Sequence, residues 1–309
     1  MNMMYFLALT IGAVICAGLF AWKLRRAGLK TMAAWIALPL SAVLGLVMAR
    51  LIYFALEFRD MYVKYDGFAG LLSANPKEFS VIGGCLGVIL AVILTAKITR
   101  HKPMQLLDAF APTGALMLAV ARCCEGLIDP MKMIGMGAWV DQEALHFFPL
   151  AVEVEWVGTF YAVFMLEAAL ALLCALVAFV ISHRGGFKPG RVFLHTVTFL
   201  ALPQIFCEQI LGDCMVWGFV KIEQLLCALI VFGVILNACI RMRKLSAYVP
   251  AVLCLLCAAV LIWMEFTLDN KLLFGIEIPT IGCYAIMIAA IGCMGGLEQW
   301  AYRKLNKAA

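Results

Sequence analysis

Apolar runs of about 20 residues recur along this chain, separated by short polar stretches, at 3–22, 32–56, 80–98, 106–125, 157–182, 190–211, 217–240, 247–264 and 277–299. A bilayer hydrocarbon core roughly 30 Å thick needs about 20 helical residues to cross it, so each run is long enough to span. The pattern predicts an all-α polytopic membrane protein with nine transmembrane helices. The run around Pro203 is the irregular one, because a proline either kinks a helix or marks a break where backbone lines a cavity. The first run lacks a basic amino-terminal region, and Lys23, Arg25 and Arg26 follow its apolar stretch. It is therefore expected to stay as the first span rather than to be cleaved as a signal peptide.

Composition agrees with the pattern. With 65% hydrophobic residues, 14% charged residues and a mean hydropathy of +1.00, the chain is too apolar for a soluble domain of its length. The charges give the orientation. Of 24 Lys and Arg residues, 16 fall in alternate connections, at 23–30, 97–102, 184–191, 241–244 and in the tail 300–309. Five fall on the opposite side, at Arg59, Lys64, Lys77, Lys132 and Lys271, and Arg50, Arg122 and Lys221 lie within spans or at their edges. Lys and Arg collect in cytoplasmic loops, so this bias puts the amino terminus outside and the carboxyl terminus in the cytoplasm. That is the arrangement expected of an inner (plasma) membrane protein, and an odd number of spans requires it.

Topology also accounts for the net charge of +5, and no basic run or RNA-binding motif points to nucleic acid. Nearly all of the 13 cysteines lie within apolar runs, where a thiol behaves as a small hydrophobe. Cys254 and Cys257 form a CxxC, but inside a helical apolar run with no basic neighbour and no second pair. His101 and His183 lie in basic connections. No zinc site, other metal site or cofactor is expected. There is no repeat, no low-complexity segment and no inverted pair of broken helices of the kind many transporters carry.

The candidate chemistry lies in polar groups that interrupt the spans. An arginine in a spanning segment is costly unless it meets a carboxylate, a phosphate or water, which marks Arg50 and Arg122. Each has a plain alternative, snorkelling to the headgroups or pairing with a carboxylate at a helix end. Tyr53 accompanies Arg50, and Gly83, Gly84 and Gly87 open the third span. Glu125 follows Arg122 by one helical turn, so it can capture the arginine as an ion pair. Gln204 and Glu208 approach the outer end of span 6, and Glu223 and Gln224 open span 7. These groups are expected to converge in a polar chamber in the outer half of the bilayer, with Glu167 deeper in span 5. Asp108 lies 14 residues before Arg122, roughly 21 Å along a helix, and is expected as a helix-start cap. Two outer connections, 57–79 and the acidic 126–155, are long enough for structure of their own; each is either a solvated loop or a flap over a site.

Several of these residues carry a resemblance. The segment Val81-Ile82-Gly83-Gly84-Cys85-Leu86-Gly87-Val88, a basic loop, Asp108-Ala109-Phe110-Ala111-Pro112 and Ala121-Arg122 together resemble the central region of the prolipoprotein diacylglyceryl transferases. In that family a His-Gly-Gly-Leu-Ile-Gly segment opens one helix, and an Asp-x-x-Ala-Pro segment leads at this spacing to a signature arginine. Ala49-Arg50-Leu51-Ile52-Tyr53 is similar to the family's Gly-Arg-x-x-Tyr. The resemblance covers roughly residues 1–244, so that 245–309 reads as an added two-helix membrane segment on a seven-span core. It implies transfer of a diacylglyceryl group from phosphatidylglycerol to a lipobox cysteine thiol, with a prolipoprotein signal peptide as partner. It also implies a catalytic role for Arg122 and, as a weaker match, for Glu208, and lipid or phosphate contacts for Arg50, Tyr53, Gly83, Gly84 and, as a weaker match, Gln224. Glu125, outside the family pattern, is a candidate catalytic base that ion pairing with Arg122 competes for, and Gln204, where the family has arginine, is a candidate phosphate contact. Asp108 and Glu167 become structural polar residues.

The chain also departs from the family pattern. The family histidine, which assists thiol deprotonation, falls on Ile82, and the family's second arginine falls on or near Gln204. The family's Gly-Asn-Phe-x-Asn-x-Glu is replaced after Arg122 by Cys123, Cys124, Glu125, Gly126, Leu127 and Ile128. Three readings stay open: a divergent transferase, a lipid- or lipopeptide-binding pseudoenzyme, and a transporter.

Overall fold

The computed structural model describes residues 3–73, 75, 77–184, 188–212, 214–217, 220–268 and 278–308. Lys271 and residue 277, both used in the topology above, lie outside the described residues. The helices are α1 (Met3–Arg26), α2 (Met32–Leu56), α3 (Phe58–Lys64), α4 (Val81–Ile98), α5 (Pro103–Glu125), α6 (Val163–Arg184), α7 (Arg191–Ile210), α8 (Ile222–Met242), α9 (Val249–Leu268) and α10 (Thr280–Ala308). Two short hairpins pair β1 (Ala151–Val154) with β2 (Gly158–Tyr161) and β3 (Val216–Trp217) with β4 (Val220–Lys221).

Among the described residues eight helices, all but α3 and α7, are long and apolar enough to cross a membrane, which makes this a multi-pass membrane protein. The expected count of nine becomes eight at that standard. The sixth apolar run does fold as a 20-residue helix, α7, but His195, Gln204, Glu208 and Gln209 hold it below that standard.

Two spans begin later than the apolar pattern predicts, at 163 rather than 157 and at 222 rather than 217. At the first, Gly158–Tyr161 goes into a strand, and at the second, Trp217, Val220 and Lys221 do so among the described residues; β-branched and aromatic side chains pack well there. The β1–β2 hairpin pairs Ala151 with Tyr161 and Val154 with Gly158. Residues 137–140 extend it on the β2 side, with Val140 N–H donating to the Thr159 carbonyl at 2.9 Å and Tyr161 N–H to that of Ala138 at 3.0 Å.

The chain forms two compact units, Met1–Thr196 and Val197–Ala309. In the first unit α2 and α4 pack most extensively, α5 lies against α6, and α1 touches α2 and α5. Glycines allow α2 and α4 their close approach: a Cβ on Gly83 would lie 2.8 Å from the Met48 carbonyl oxygen, and one on Gly87 would collide with the backbone of Leu44. Ser80 caps α4 by accepting a hydrogen bond from Gly83 N–H at 3.1 Å, while its own N–H donates to the Ala49 carbonyl of α2 at 3.1 Å. Away from that end, Phe20, Leu24, Ala34, Ala37, Val92 and Leu106 belong to a buried apolar core shared by α1, α2, α4 and α5. In the second unit α8, α9 and α10 pack on one another.

Candidate functional site

Arg122 occupies the last turn of α5 and is buried. Its guanidinium is held from two sides. Nε lies 3.0 Å from Glu167 Oε2 while Nη2 donates to Glu167 Oε1 at 3.2 Å, a two-point contact suited to the planar fork. On the other edge Nη1 donates to Glu125 Oε1 at 2.8 Å, one helical turn away. The ion-pair capture expected of Glu125 is therefore present. Glu167 corrects the depth expected of it: α6 starts at Val163, so Glu167 sits about one turn, some 6 Å, from the helix start, where Arg122 meets it.

Glu125 Oε2 is buried and has no hydrogen-bond partner among the described residues. It borders a small cleft also lined by Asp129, Ile134, Met136, Val152 and Phe164. Gly135 is part of the reason this cleft is tight: its φ is +68°, and a Cβ there would stand 2.7 Å from Oε2. The acidic connection is thus no featureless loop, since its hairpin residue Val152 and its Gly135 turn wall the Glu125 carboxylate. Tyr5 of α1 also lies within electrostatic reach of Glu125, Cys124 and Arg122. Sequence reasoning missed it, because a tyrosine near the end of an apolar run reads as an interfacial anchor.

Arg50 belongs to a different network. It is buried near the end of α2, and its Nε donates to the Gly70 carbonyl at 3.0 Å, its Nη1 to the Glu78 carbonyl at 2.6 Å, and its Nη2 to Glu78 Oε2 at 2.9 Å and to Gly70 O. Glu78 also accepts from Lys64 at 2.7 Å, Tyr65 at 2.9 Å, Asn75 at 3.1 Å and Ser73 at 3.1 Å. Burial alone would raise the Glu78 carboxyl; the hydrogen bonds from Lys64, Tyr65, Arg50 and Ser73 outweigh it and bring the pKa down to about 2. The same contact raises Lys64. Of the two readings of Arg50, pairing with a carboxylate describes its geometry, and the carboxylate is one that sequence reasoning left unmarked. Nothing in its position betrayed Glu78, one of four acids in a polar connection and 28 residues from its partner.

Tyr53 lies next to this network on α2, and its carbonyl accepts from Glu57 N–H at 2.9 Å. Gly83 and Gly84 face α2, where they serve the helix contact described above. Asp108 does cap a helix, but not its own. It sits five residues inside α5, and its carboxylate accepts from the backbone N–H of Gly190 at 2.6 Å and of Phe193 at 2.8 Å. Those are donors of the first turn of α7, left without intrahelical partners, and an anion there also meets the positive end of the helix dipole.

In the second unit Gln204 donates to Glu208 at 2.8 Å along α7, and Gln224 of α8 donates to the Ile205 carbonyl at 3.3 Å. Lys221 donates to the Glu208 and Gln209 carbonyls at 2.9 and 3.0 Å, closing the carboxyl end of α7 with a cation. Glu208 and Glu223 are both buried. Among the described residues no group of three or more His, Cys, Asp or Glu side chains could hold a metal ion.

Residues 3–240 match the family model described as prolipoprotein diacylglyceryl transferase. The chain belongs to that family. It is 22% identical over 214 residues to a protein of Listeria monocytogenes serotype 4a (strain HCC23) named phosphatidylglycerol–prolipoprotein diacylglyceryl transferase, covering 67% of this chain and 73% of that one. A protein of the same name from Clostridium botulinum (strain Hall) is 26% identical over 208 residues, 65% of this chain and 75% of its own length. Membership in this family of transferases extends through α1 to the greater part of α8, and α9 and α10 lie beyond the matched region. Ile82 is buried in the first turn of α4, beside the Gly83 contact with α2.

Proposed function

We propose that this chain transfers a diacylglyceryl group from phosphatidylglycerol to the cysteine thiol of a prolipoprotein signal peptide at the outer face of the bacterial inner (plasma) membrane. With α7 taken as a ninth crossing, its amino terminus is outside and its carboxyl terminus is cytoplasmic, and residues 1–244 form the transferase core to which 245–309 are added. The observation that carries this reading is the buried Arg122, fixed on one edge by Glu167 and on the other by a carboxylate that keeps one oxygen without a partner among the described residues.

The division of labour follows from that geometry. Glu167 orients the guanidinium through Nε and Nη2, leaving the Nη1 edge, where Glu125 now sits, to a phosphate oxygen of the lipid. Once displaced from Arg122, Glu125 takes the proton of the incoming thiol, since the thiolate is the nucleophile. The sulfur then forms a bond to the terminal glycerol carbon of the diacylglyceryl group as the carbon–oxygen bond to phosphate breaks. Glycerol phosphate leaves with the electron pair, its charge met by Arg122. Gln204, Glu208 and Gln224 form a polar cluster of their own in the second unit, and Arg50, through Glu78, and the α4 glycines, through their contact with α2, fix the end of the helix that carries Tyr53.

A second reading, lipid or lipopeptide binding without transfer, is favoured by Ile82, which cannot move a proton where the family has histidine. Purified protein in vesicles of phosphatidylglycerol, given a lipobox peptide, decides between them. Peptide gaining the mass of a diacylglyceryl group supports the transferase; tight phosphatidylglycerol binding with no mass gain supports the binding protein.

A further inference from the structure

The connection between α2 and α4 carries an aromatic surface that neither the Arg122 site nor the Arg50 network uses. Phe58 and Tyr62 of α3 stack at 5.5 Å between ring centroids, and Phe68 of the following 3-10 turn (Phe68–Leu72) closes on Tyr62 at 5.8 Å. All three rings are exposed, Phe68 to 64%, and Leu72 at the end of the turn is 90% exposed. A soluble surface seldom keeps such a contiguous apolar patch without a partner.

Its position argues for what that partner is. On the spanning helix α2 the exposed residues Val47, Leu51 and Ala55 recur at four-residue steps, and beyond the break at Glu57 both Phe58 and Phe68 pack on Phe54 of the last turn of α2, at 5.7 and 6.0 Å between ring centroids. The patch thus adjoins the end of a membrane span. The seven residues of α3 rise only about 10 Å, too little to cross a bilayer. The other side of α3 turns Met61 inward, while Arg59, Asp60 and Lys64 stay exposed, the mixed polar and aromatic character of residues at headgroup depth. Arg50 holds the Gly70 carbonyl between Phe68 and Leu72, and a Cβ on Gly70 would stand 3.0 Å from Tyr65 and 3.1 Å from Phe54, so the turn is seated closely on the end of α2.

We propose that α3 and the 3-10 turn form an interfacial foot, lying in the headgroup layer of the leaflet at the Arg122 end of the first unit, with Phe58, Tyr62, Phe68 and Leu72 in contact with phospholipid. The foot fixes the height of the α2 and α4 ends relative to the bilayer surface. The proposal does not depend on transfer activity, because its test reads contact alone.

The photoreactive residue p-benzoylphenylalanine is placed at position 68 or 72 of the full chain, with position 46, an exposed residue midway along α2, as the in-bilayer reference and position 141 in the acidic connection as the aqueous one. Protein reconstituted in vesicles of phosphatidylethanolamine and phosphatidylglycerol is irradiated and its intact mass measured. The expected result is a gain of one phospholipid mass at 68 and 72, as at 46, and none at 141. Phospholipid adducts at 46 but not at 68 or 72 would overturn the proposal. So would crosslinking at 68 to a second copy of the chain in place of lipid.

Discussion

Glu167 grips the Arg122 guanidinium by two points, with Nε 3.0 Å from one carboxylate oxygen and Nη2 donating to the other at 3.2 Å, although 45 residues separate them. Both side chains are buried, so the pair joins α5 to α6 at the depth where the candidate chemistry sits. Removing Glu167 leaves the buried Arg122 with Glu125 as its remaining carboxylate, and losing a partner from a buried ion pair costs up to about 3–5 kcal/mol. Glu167→Ala is therefore expected to lower the melting temperature of the detergent-solubilised protein markedly, and Glu167→Ala with Arg122→Met and Glu125→Gln, which removes all three charges, is expected to recover part of the loss. A triple variant no more stable than the single one would mean that these ion pairs are not what holds these helix ends.

The Arg50–Glu78 network predicts a pH dependence with a definite sign. Glu78 titrates near 2 in the folded chain, below its ordinary value of 4.5, so the folded state binds the proton less well than the unfolded one. Its contribution to stability is complete above pH 4.5 and is lost as pH falls through 2. Pepsin, active across that window, should leave the bonds around Phe58, Tyr62 and Phe68 intact near pH 4 and cut them as pH approaches 2. In Glu78→Gln the same bonds should be open to cleavage at both values.

How far the sequence revealed this arrangement can be judged from those two networks. Apolar length alone located the spanning helices to within a few residues at most ends, because a bilayer imposes one length on every crossing segment. It failed at Gly158–Tyr161 and at Trp217, Val220 and Lys221, where a short run rich in β-branched and aromatic residues has no period that separates strand from helix. That failure put Glu167 too deep and hid its meeting with Arg122. Glu125 was legible because one helical turn fixes its distance from Arg122. Glu78 and Tyr5 were not, since their partners are set by tertiary packing. Asp108 was recognised as a cap, but its target lies 82 residues away at Gly190 and only the folded chain reveals it.

Asp108 gives a test that separates hydrogen bonding from charge. Its carboxylate satisfies two backbone donors at the start of α7, and each buried donor left unsatisfied costs about 1–3 kcal/mol. Asp108→Ala should destabilise the protein clearly. Asp108→Asn keeps one acceptor oxygen and loses the interaction with the helix dipole, so its melting temperature should fall between those of the parent and the alanine variant. Equal losses for both variants would assign the whole effect to charge.

Glu125 and Glu167 touch the same arginine yet should fail in different ways. Glu167 uses both oxygens on Arg122, whereas Glu125 uses one and keeps the other at the cleft. If Glu125 accepts the thiol proton, Glu125→Gln removes the base while leaving the Arg122–Glu167 pair and the fold in place. General-base assistance is typically worth about 10²–10⁴-fold, so transfer to a lipobox peptide should fall by that order with phosphatidylglycerol affinity nearly unchanged. The residual rate should rise with pH, because hydroxide must now ionise the thiol that Glu125 had deprotonated. Arg122→Lys provides the contrast: a point charge replaces the planar fork, so lipid affinity should fall together with the rate. Transfer by Glu125→Gln at the parent rate, with Arg122→Lys inactive, would remove Glu125 from the chemistry and leave thiol ionisation to the field of Arg122 alone.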